Sequence, residues 1–314
     1  MDLRRFLRQA FLLLLPFVLI LGTVAIVDPY SMFGSELIIS DGLKRRNLDH
    51  SGRTMSFSNV MWKMLEFKRD PQPNVIIGDS RLSYFDLDHL RKIAGEDYYN
   101  FGVPGGNHRT TFDLFQYADS VGDLRKVYLQ VSFRTMRPDM NWDIVQEPSV
   151  LTDRPLLYLT NRRVIEAAAL NLYSLAKGDG MKYDELPPDQ WERVIAMEKE
   201  NIDGFAIDDR IFDRIGRIAE HCRRKGIELV LLEYPMHPDL QAMYRDAGLL
   251  GLRERYVRRM RSIAPYIDLD VPGLFPADRA LWRDPLHLTP ELQRVLIDHV
   301  WGQRPPEPIN VKAR

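Results

Sequence analysis

Two short stretches of this chain hold residue types that can do nucleophilic chemistry together. The run Asn74-Val75-Ile76-Ile77 ends abruptly in Gly78-Asp79-Ser80-Arg81. An apolar, β-branched segment stopping at such a turn reads as a buried strand that delivers a serine to the edge of a sheet. A serine hydroxyl attacks a carbonyl only with a base in hydrogen-bond reach and a third group to orient that base. Among seven histidines, His287 stands out in Asp284-Pro285-Leu286-His287. An aspartate three residues earlier on a tight turn can bond Nδ1 and leave Nε2 facing a serine. Thr289, Pro290 and Glu291 follow as N-cap, first helical position and first-turn acid of a last helix over 291–301. Taken singly, Gly-Asp-Ser and Asp-x-x-His are each ordinary turn composition.

A third stretch, Asn100-Phe101-Gly102-Val103-Pro104-Gly105-Gly106-Asn107, follows the second apolar run. Gly105 can bring an unobstructed backbone N–H to a developing oxyanion, beside the N–H of Ser80. Its bland reading is a simple turn between strand and helix. Arg81, Asn107, Arg134 and His237 are the further candidates for touching substrate, and His108 for lining the site. His50, His89, His221 and His299 read as surface or packing residues. No two histidines share metal-ligand spacing with a carboxylate, so neither a metal nor another cofactor is expected.

These residues need a scaffold that gathers strand ends on one side. From Asn74 onward, short apolar runs alternate with helical periodicity, the pattern of βαβ units and a parallel sheet. Strands are expected over 74–78, 97–101, 126–133, 228–234 and 266–270. Helices are expected over 86–94, 110–120 and 207–225, and in two pieces over 238–263. Residues 135–205 fit the alternation badly and read as an insertion over one sheet edge or over the site. The expected layout is a basic segment and apolar helix over 1–28, a membrane-proximal connector over 29–72 with a helix near 57–67, an α/β domain over 73–303, and a disordered tail over 304–314. The chain has 43 basic and 44 acidic residues, which gives no reason to expect a nucleic-acid partner. Cys222 is the single cysteine, so disulfides within the chain and cysteine-based zinc sites are excluded.

Arg4, Arg5 and Arg8 precede an apolar run from Ala10 to Val27, interrupted only by Pro16, Gly22 and Thr23. A helix of that length spans ~27 Å, close to the hydrocarbon thickness of a bilayer. Basic residues ahead of it favour a cytoplasmic N-terminus and an extracytoplasmic body. The alternatives are a cleaved signal peptide and a buried core helix. No small-x-small cleavage site follows the run, and the helix lacks a polar face, so an uncleaved anchor in the membrane lipid is expected.

The three motifs, in this order and at these strand ends, resemble the SGNH/GDSL hydrolase family over roughly residues 74–302. The resemblance implies a flavodoxin-like three-layer α/β sandwich with a mainly parallel five-stranded sheet. It implies Ser80 as nucleophile, Asp284 and His287 as orienting acid and base, and the Ser80 and Gly105 amides as oxyanion donors. The family's third block ends its strand in Gly-x-Asn, whose asparagine is a third donor. Here that strand reads Tyr128-Leu129-Gln130-Val131-Ser132-Phe133-Arg134, with Ser132 at the asparagine position and Arg134 nearby as another possible donor. Losing one donor costs ~3 kcal/mol, about a hundredfold in rate.

The layout looks like that of single-pass members that assist membrane-bound O-acyltransferases in acetylating exopolysaccharides or D-alanylating teichoic acids. The resemblance thus implies a serine esterase or acyltransferase on acyl esters of envelope or secreted polysaccharide, with a multi-pass O-acyltransferase as possible partner. Two other readings stand beside it. One is a scaffold for such an acyltransferase that retains the triad residues. The other is a lipid esterase or thioesterase, for which Trp142, Leu156, Leu157 and Tyr158 are available to line an apolar pocket.

Overall fold

The computed structural model describes residues 3–48, 55–178 and 188–302; His50 and the tail from 304 lie outside the described residues. In chain order, α1 (Leu3–Val27), α2 (Asp41–Leu48) and α3 (Met55–Arg69) precede β1 (Asn74–Gly78) and α4 (Leu87–Ala94). Next come β2 (Tyr99–Gly102), α5 (His108–Val121) and β3 (Lys126–Val131). A helical stretch follows: α6 (Gln146–Thr152), α7 (Pro155–Thr160), α8 (Arg162–Lys177), α9 (Gln190–Ile202) and α10 (Asp209–Lys225). Then β4 (Glu228–Glu233), α11 (Pro238–Asp246), α12 (Leu250–Ile263) and β5 (Tyr266–Asp268) lead to the short strands β6 (Trp282–Asp284) and β7 (His287–Leu288), and α13 (Pro290–Trp301) closes the order.

These elements form two compact units. An α/β unit takes Asp70–Asp143 and Glu185–Arg314, and a helical unit takes Met1–Arg69 and Ile144–Asp184.

In the α/β unit all five long-sheet strands run parallel in the order β2-β1-β3-β4-β5, the flavodoxin-like order. Val75 stands opposite Tyr99 on one side and Val127 on the other. Every residue of β1 is buried, which is why its sequence is an unbroken apolar run rather than an alternating one. Ile76, Tyr128, Leu232, Leu292 and Leu296 share one core cluster. Trp301 closes it with edge contacts to Phe85, Tyr98 and a tilted one to Tyr128. The sheet's switch point, where the strand order reverses between β1 and β3, is the place where such a fold opens a crevice at its C-terminal edge.

The strands differ from expectation at their ends. β2 starts at Tyr99 rather than 97, because the Asp97 carbonyl takes its hydrogen bond from Asn74 Nδ2 at 3.0 Å instead of joining the ladder. β5 stops at Asp268, and Asp270 turns its carboxylate onto the Met236 N–H at 3.0 Å. The antiparallel β6–β7 pair was not anticipated; three and two residues are too few to show a period.

The helical unit explains the rest of the misfit stretch. Of residues 135–205, expected as an insertion over the sheet edge or the site, 144–184 group with α1–α3, while the flanking parts stay with the α/β unit. Phe57, Met61 and Leu65 of α3 share a core with Tyr158 of α7 and Val164 of α8. The last turn of α1 enters that core through Val24 and Val27, both about fully buried. The remainder of α1 is apolar and exposed; Phe6–Val27, 22 residues, is long and apolar enough to cross a membrane.

Candidate active site

Buried β1 carries the chain to Asp79, and a 3-10 turn over Ser80–Leu82 follows at once. Gly78 is required here: a Cβ would run into the Gln130 side chain and meet Leu82 Cδ1 at 2.6 Å. Gln130 uses that approach to accept the Asp79 N–H at 2.9 Å. Three more bonds fix the turn. The Val103 N–H donates to the Gly78 carbonyl at 3.0 Å, Asn100 Nδ2 to the Leu82 carbonyl at 2.7 Å, and Gln293 Nε2 to the Arg81 carbonyl at 3.1 Å.

Asp79 faces inward. Its Oδ1 accepts the Arg81 N–H at 2.9 Å, and the Arg81 guanidinium forks onto both oxygens, with Nη2 to Oδ2 at 2.8 Å. Burial alone would raise the Asp79 carboxyl, but the charge and hydrogen bonds of Arg81 outweigh it and hold it down at about 2.

Ser80 Oγ lies 2.9 Å from His287 Nε2. On the far side of the ring, His287 Nδ1 is 2.8 Å from each oxygen of Asp284. A carboxylate only accepts, so Nδ1 carries the proton and Nε2 is left to accept from the serine hydroxyl. Asp284 Oδ1 also accepts the N–H groups of Leu286 at 2.8 Å and His287 at 3.1 Å. Burial works to raise this carboxyl; its bonds to His287 and to the two amides lower it, and they prevail. β6 and β7 hold the pair, with Asp284 opposite His287 in register. Thr289 caps α13 and donates its N–H to the Leu281 carbonyl at 3.1 Å, which pins the hairpin to the helix.

Gly105 occupies the third position of a type II turn closed by Gly106 N–H to the Val103 carbonyl at 3.0 Å, with Pro104 ahead of it. Its φ of +71° is the left-handed value that this position demands and that glycine supplies without strain. Trp142 Nε1 donates to the Gly105 carbonyl at 3.0 Å and steadies the turn. Among the described residues, the N–H groups of Ser80 and Gly105 have no acceptor, and both residues line the cavity that holds Asp284 and His287. That cavity measures about 500 Å³. Its walls come from the chain after β3 (Arg134, Met140, Trp142) and from α9 (Val194, Met197, Asn201).

Ser132 and Arg134 part company. Ser132 lines a separate cavity of about 20 Å³ with Gln130 and His108, and its buried Oγ has no hydrogen-bond partner among the described residues. Arg134 does line the 500 Å³ cavity. Its Nε and Nη2 reach Glu198 Oε1 at 3.1 and 2.7 Å, while Glu198 also accepts from Tyr244 and Asn201. Burial opposes both charges, yet each holds the other ionised, lowering the Glu198 carboxyl and raising the Arg134 guanidinium.

No family model and no curated protein matches the chain. Among solved structures, a Streptococcus pneumonia chain named for platelet activating factor is 14% identical, with a TM-score of 0.40 over 78% of this chain and 90% of that one. A likeness at that level carries no argument about chemistry.

Of the expected substrate contacts, Arg81 lines the cavity, but it is 3% exposed and its guanidinium is taken up by Asp79, so that it braces the Ser80 turn. Two others need correction. Asn107 is 2% exposed; its Oδ1 caps α5 at Thr110 N–H and its Nδ2 donates to the Trp142 carbonyl at 2.9 Å. His237 caps α11 through Nδ1, bonds the Ala277 carbonyl through Nε2, and packs between Trp191 and Trp282. Its contribution to the site is its backbone N–H, which holds the Pro285 carbonyl at 2.9 Å in the Asp284–His287 turn. His108 likewise turns away, onto the Thr135 carbonyl at 3.1 Å. Glu198, Gln130 and Gln293 are site residues that no motif announced, while Trp142, offered by the sequence as a pocket residue, does line the cavity. Only the fold brings Glu198 to Arg134, 64 positions away.

Proposed function

We propose that this protein is a membrane-anchored serine acyl-ester hydrolase or acyltransferase of SGNH type. The relay Ser80 Oγ–His287 Nε2, His287 Nδ1–Asp284 is the observation that carries this reading. Ser80 attacks the acyl carbonyl as His287 accepts its proton. Asp284 keeps the imidazole in the productive tautomer and stabilises the imidazolium that forms. The Ser80 and Gly105 amides receive the oxyanion. Collapse of the tetrahedral intermediate expels the alcohol, which takes the proton from His287 and leaves acyl-Ser80. Water or a sugar hydroxyl then attacks the acyl-enzyme by the same steps in reverse.

The acyl group is proposed to be acetyl, carried by an envelope or secreted polysaccharide, with a multi-pass O-acyltransferase as partner. That part rests on the motifs and the layout of an apolar helix followed by an α/β unit. The Arg4, Arg5 and Arg8 cluster ahead of α1 supports a cytoplasmic N-terminus and an extracytoplasmic body. The full chain in detergent is expected to release acetate from an activated acetyl ester. Equal release by Ser80→Ala would sink the mechanism.

Ser132, standing where the resemblance expects an asparagine donor, favours a second reading: a weakly catalytic scaffold for the acyltransferase. Covalent labelling of Ser80 by a fluorophosphonate separates the two. A folded protein that does not label, and whose Ser80→Ala variant supports normal product in cells, is the scaffold.

A further inference from the structure

The helical unit has an apolar surface that its own core does not explain. Leu37 and Leu156 are 79% and 77% exposed, and Phe33, Ile38 and Leu157 are exposed beside them in sequence. These residues come from two places, the loop after α1 and helix α7, and the buried Asp28 brings the two together. Its carboxylate accepts the N–H groups of Met32 at 2.7 Å, Phe33 at 2.9 Å and Ser35 at 3.1 Å, and the Tyr158 hydroxyl of α7 at 3.1 Å. Tyr158 returns the contact, accepting the Tyr30 N–H at 3.2 Å and meeting the Phe33 ring edge-on at 5.8 Å. Asp28 holds φ at +45° and Ser31 at +58°, a left-handed backbone that non-glycine residues adopt only when their surroundings compel it. The loop is thus folded back beside α7 by a specific knot.

Asp28 directly follows the last residue of α1, so the knot sits where the exposed apolar helix leaves off. We infer that the 33–38 loop and α7 form an apolar collar around the base of α1 that lies in the interfacial layer of the lipid bilayer. The occupant follows from continuity. The collar prolongs the lipid-exposed surface of α1, where Ile26 is still 48% exposed, with no polar belt between them on α1. α7 is framed by exposed Arg154 and by exposed Arg162, whose Nε bonds Glu166 Oε1 at 2.7 Å, and basic residues at such positions favour the level of lipid phosphates. Glu36, the acid within the loop, is tied back by accepting the Asp41 N–H at 2.9 Å.

This inference rests on the membrane-anchor reading above, and its test keeps the two apart. In a Cys222→Ala background, Leu13→Cys, Leu37→Cys and Leu156→Cys are each labelled with an environment-sensitive fluorophore, and the full chain is placed in nanodiscs. Circular dichroism checks that each labelled chain is folded. Labels at 37 and 156 are expected to be quenched several-fold more by shallow doxyl lipids than by aqueous iodide. Quenching at 13 with labels at 37 and 156 open to iodide overturns the collar and leaves the anchor standing. If none of the three labels is quenched by lipid, both fail. Labels at 37 and 156 shielded from iodide yet untouched by doxyl lipid also overturn it, and mark a contact between copies of the chain.

Discussion

Arg81 lays its guanidinium across the carboxylate of Asp79, the residue directly before Ser80, with Nη2 2.8 Å from Oδ2 and Nε 3.1 Å from Oδ1. The pair is largely buried, and both residues line the wall of the cavity that holds Ser80. Its work is to fix the 3-10 turn that aims the serine. Asp79→Ala would strand a buried guanidinium and is expected to cost about 3–5 kcal/mol in chemical denaturation. The folded pKa of Asp79, about 2, lies below its ordinary 3.8, so its contribution is present above pH 4 and lost as pH falls through about 2. Acid titration of stability should show that loss in the native chain and not in the variant.

Asp284→Asn should leave the fold intact and cut kcat by about 10⁴, because an amide can donate to Nδ1 and so favour the wrong imidazole tautomer. Steady-state hydrolysis of an activated ester, with circular dichroism as the fold control, reads this. A loss under tenfold would mean that His287 does not need its partner.

Trp142→Phe removes the indole N–H that holds the Gly105 carbonyl. We expect about 1 kcal/mol of lost stability and a fall in kcat with KM little changed, since the turn that presents the Gly105 amide loosens. Gly105→Ala places a Cβ at φ +71° and should cost about 1–2 kcal/mol as well as activity.

Arg134 and Glu198 invite a double-mutant cycle. Glu198→Ala alone should destabilise by about 3–5 kcal/mol, whereas Arg134→Met with Glu198→Leu should recover most of it, since buried ion pairs exchange well for apolar packing. Activity need not follow stability. If Arg134 also serves the cavity it lines, the double variant will be stable and slow.

Glu233, fully buried at the end of β4, accepts from the Phe133 N–H at 3.1 Å and from the Tyr256 hydroxyl. Burial, the largest influence, raises it from 4.5 to about 8, and burial likewise lifts nearby Asp270 from 3.8 to about 6. Here the folded state binds more protons, so stability should decline as pH rises from about 4 to 8. Glu233→Gln should flatten the upper part of that decline in pH-dependent unfolding.

What the sequence made legible was local. β1, the Gly105 turn and the Asp284–His287 turn are each written within a few consecutive residues, as glycine, proline and cap positions. The parallel sheet shows through because strands covered on both faces must be apolar throughout. Asn107 and His237 were misread because burial belongs to the fold: the same polar types at a strand end serve a substrate or a cap depending on what packs over them. Residues 144–184 could not be grouped with α1–α3 for a related reason. Their partners are far away, as Asn171 to Asn47 at 3.0 Å illustrates. Nothing local could tell α9, which lines the cavity, from α7, which joins the helical unit.

The bond from Tyr158 to Asp28 spans 130 positions. A ribosome adding about 5–20 residues per second needs roughly ten seconds to cover that distance. The unit that contains the first helix therefore cannot close until the first three strands have been synthesised in between. During that interval Asp28 waits at the end of α1 without its hydroxyl donor, and Ser80 has been made while His287 and Gln293, which reach it and its turn, are still to come. Synthesis order completes the Ser80–His287–Asp284 relay last.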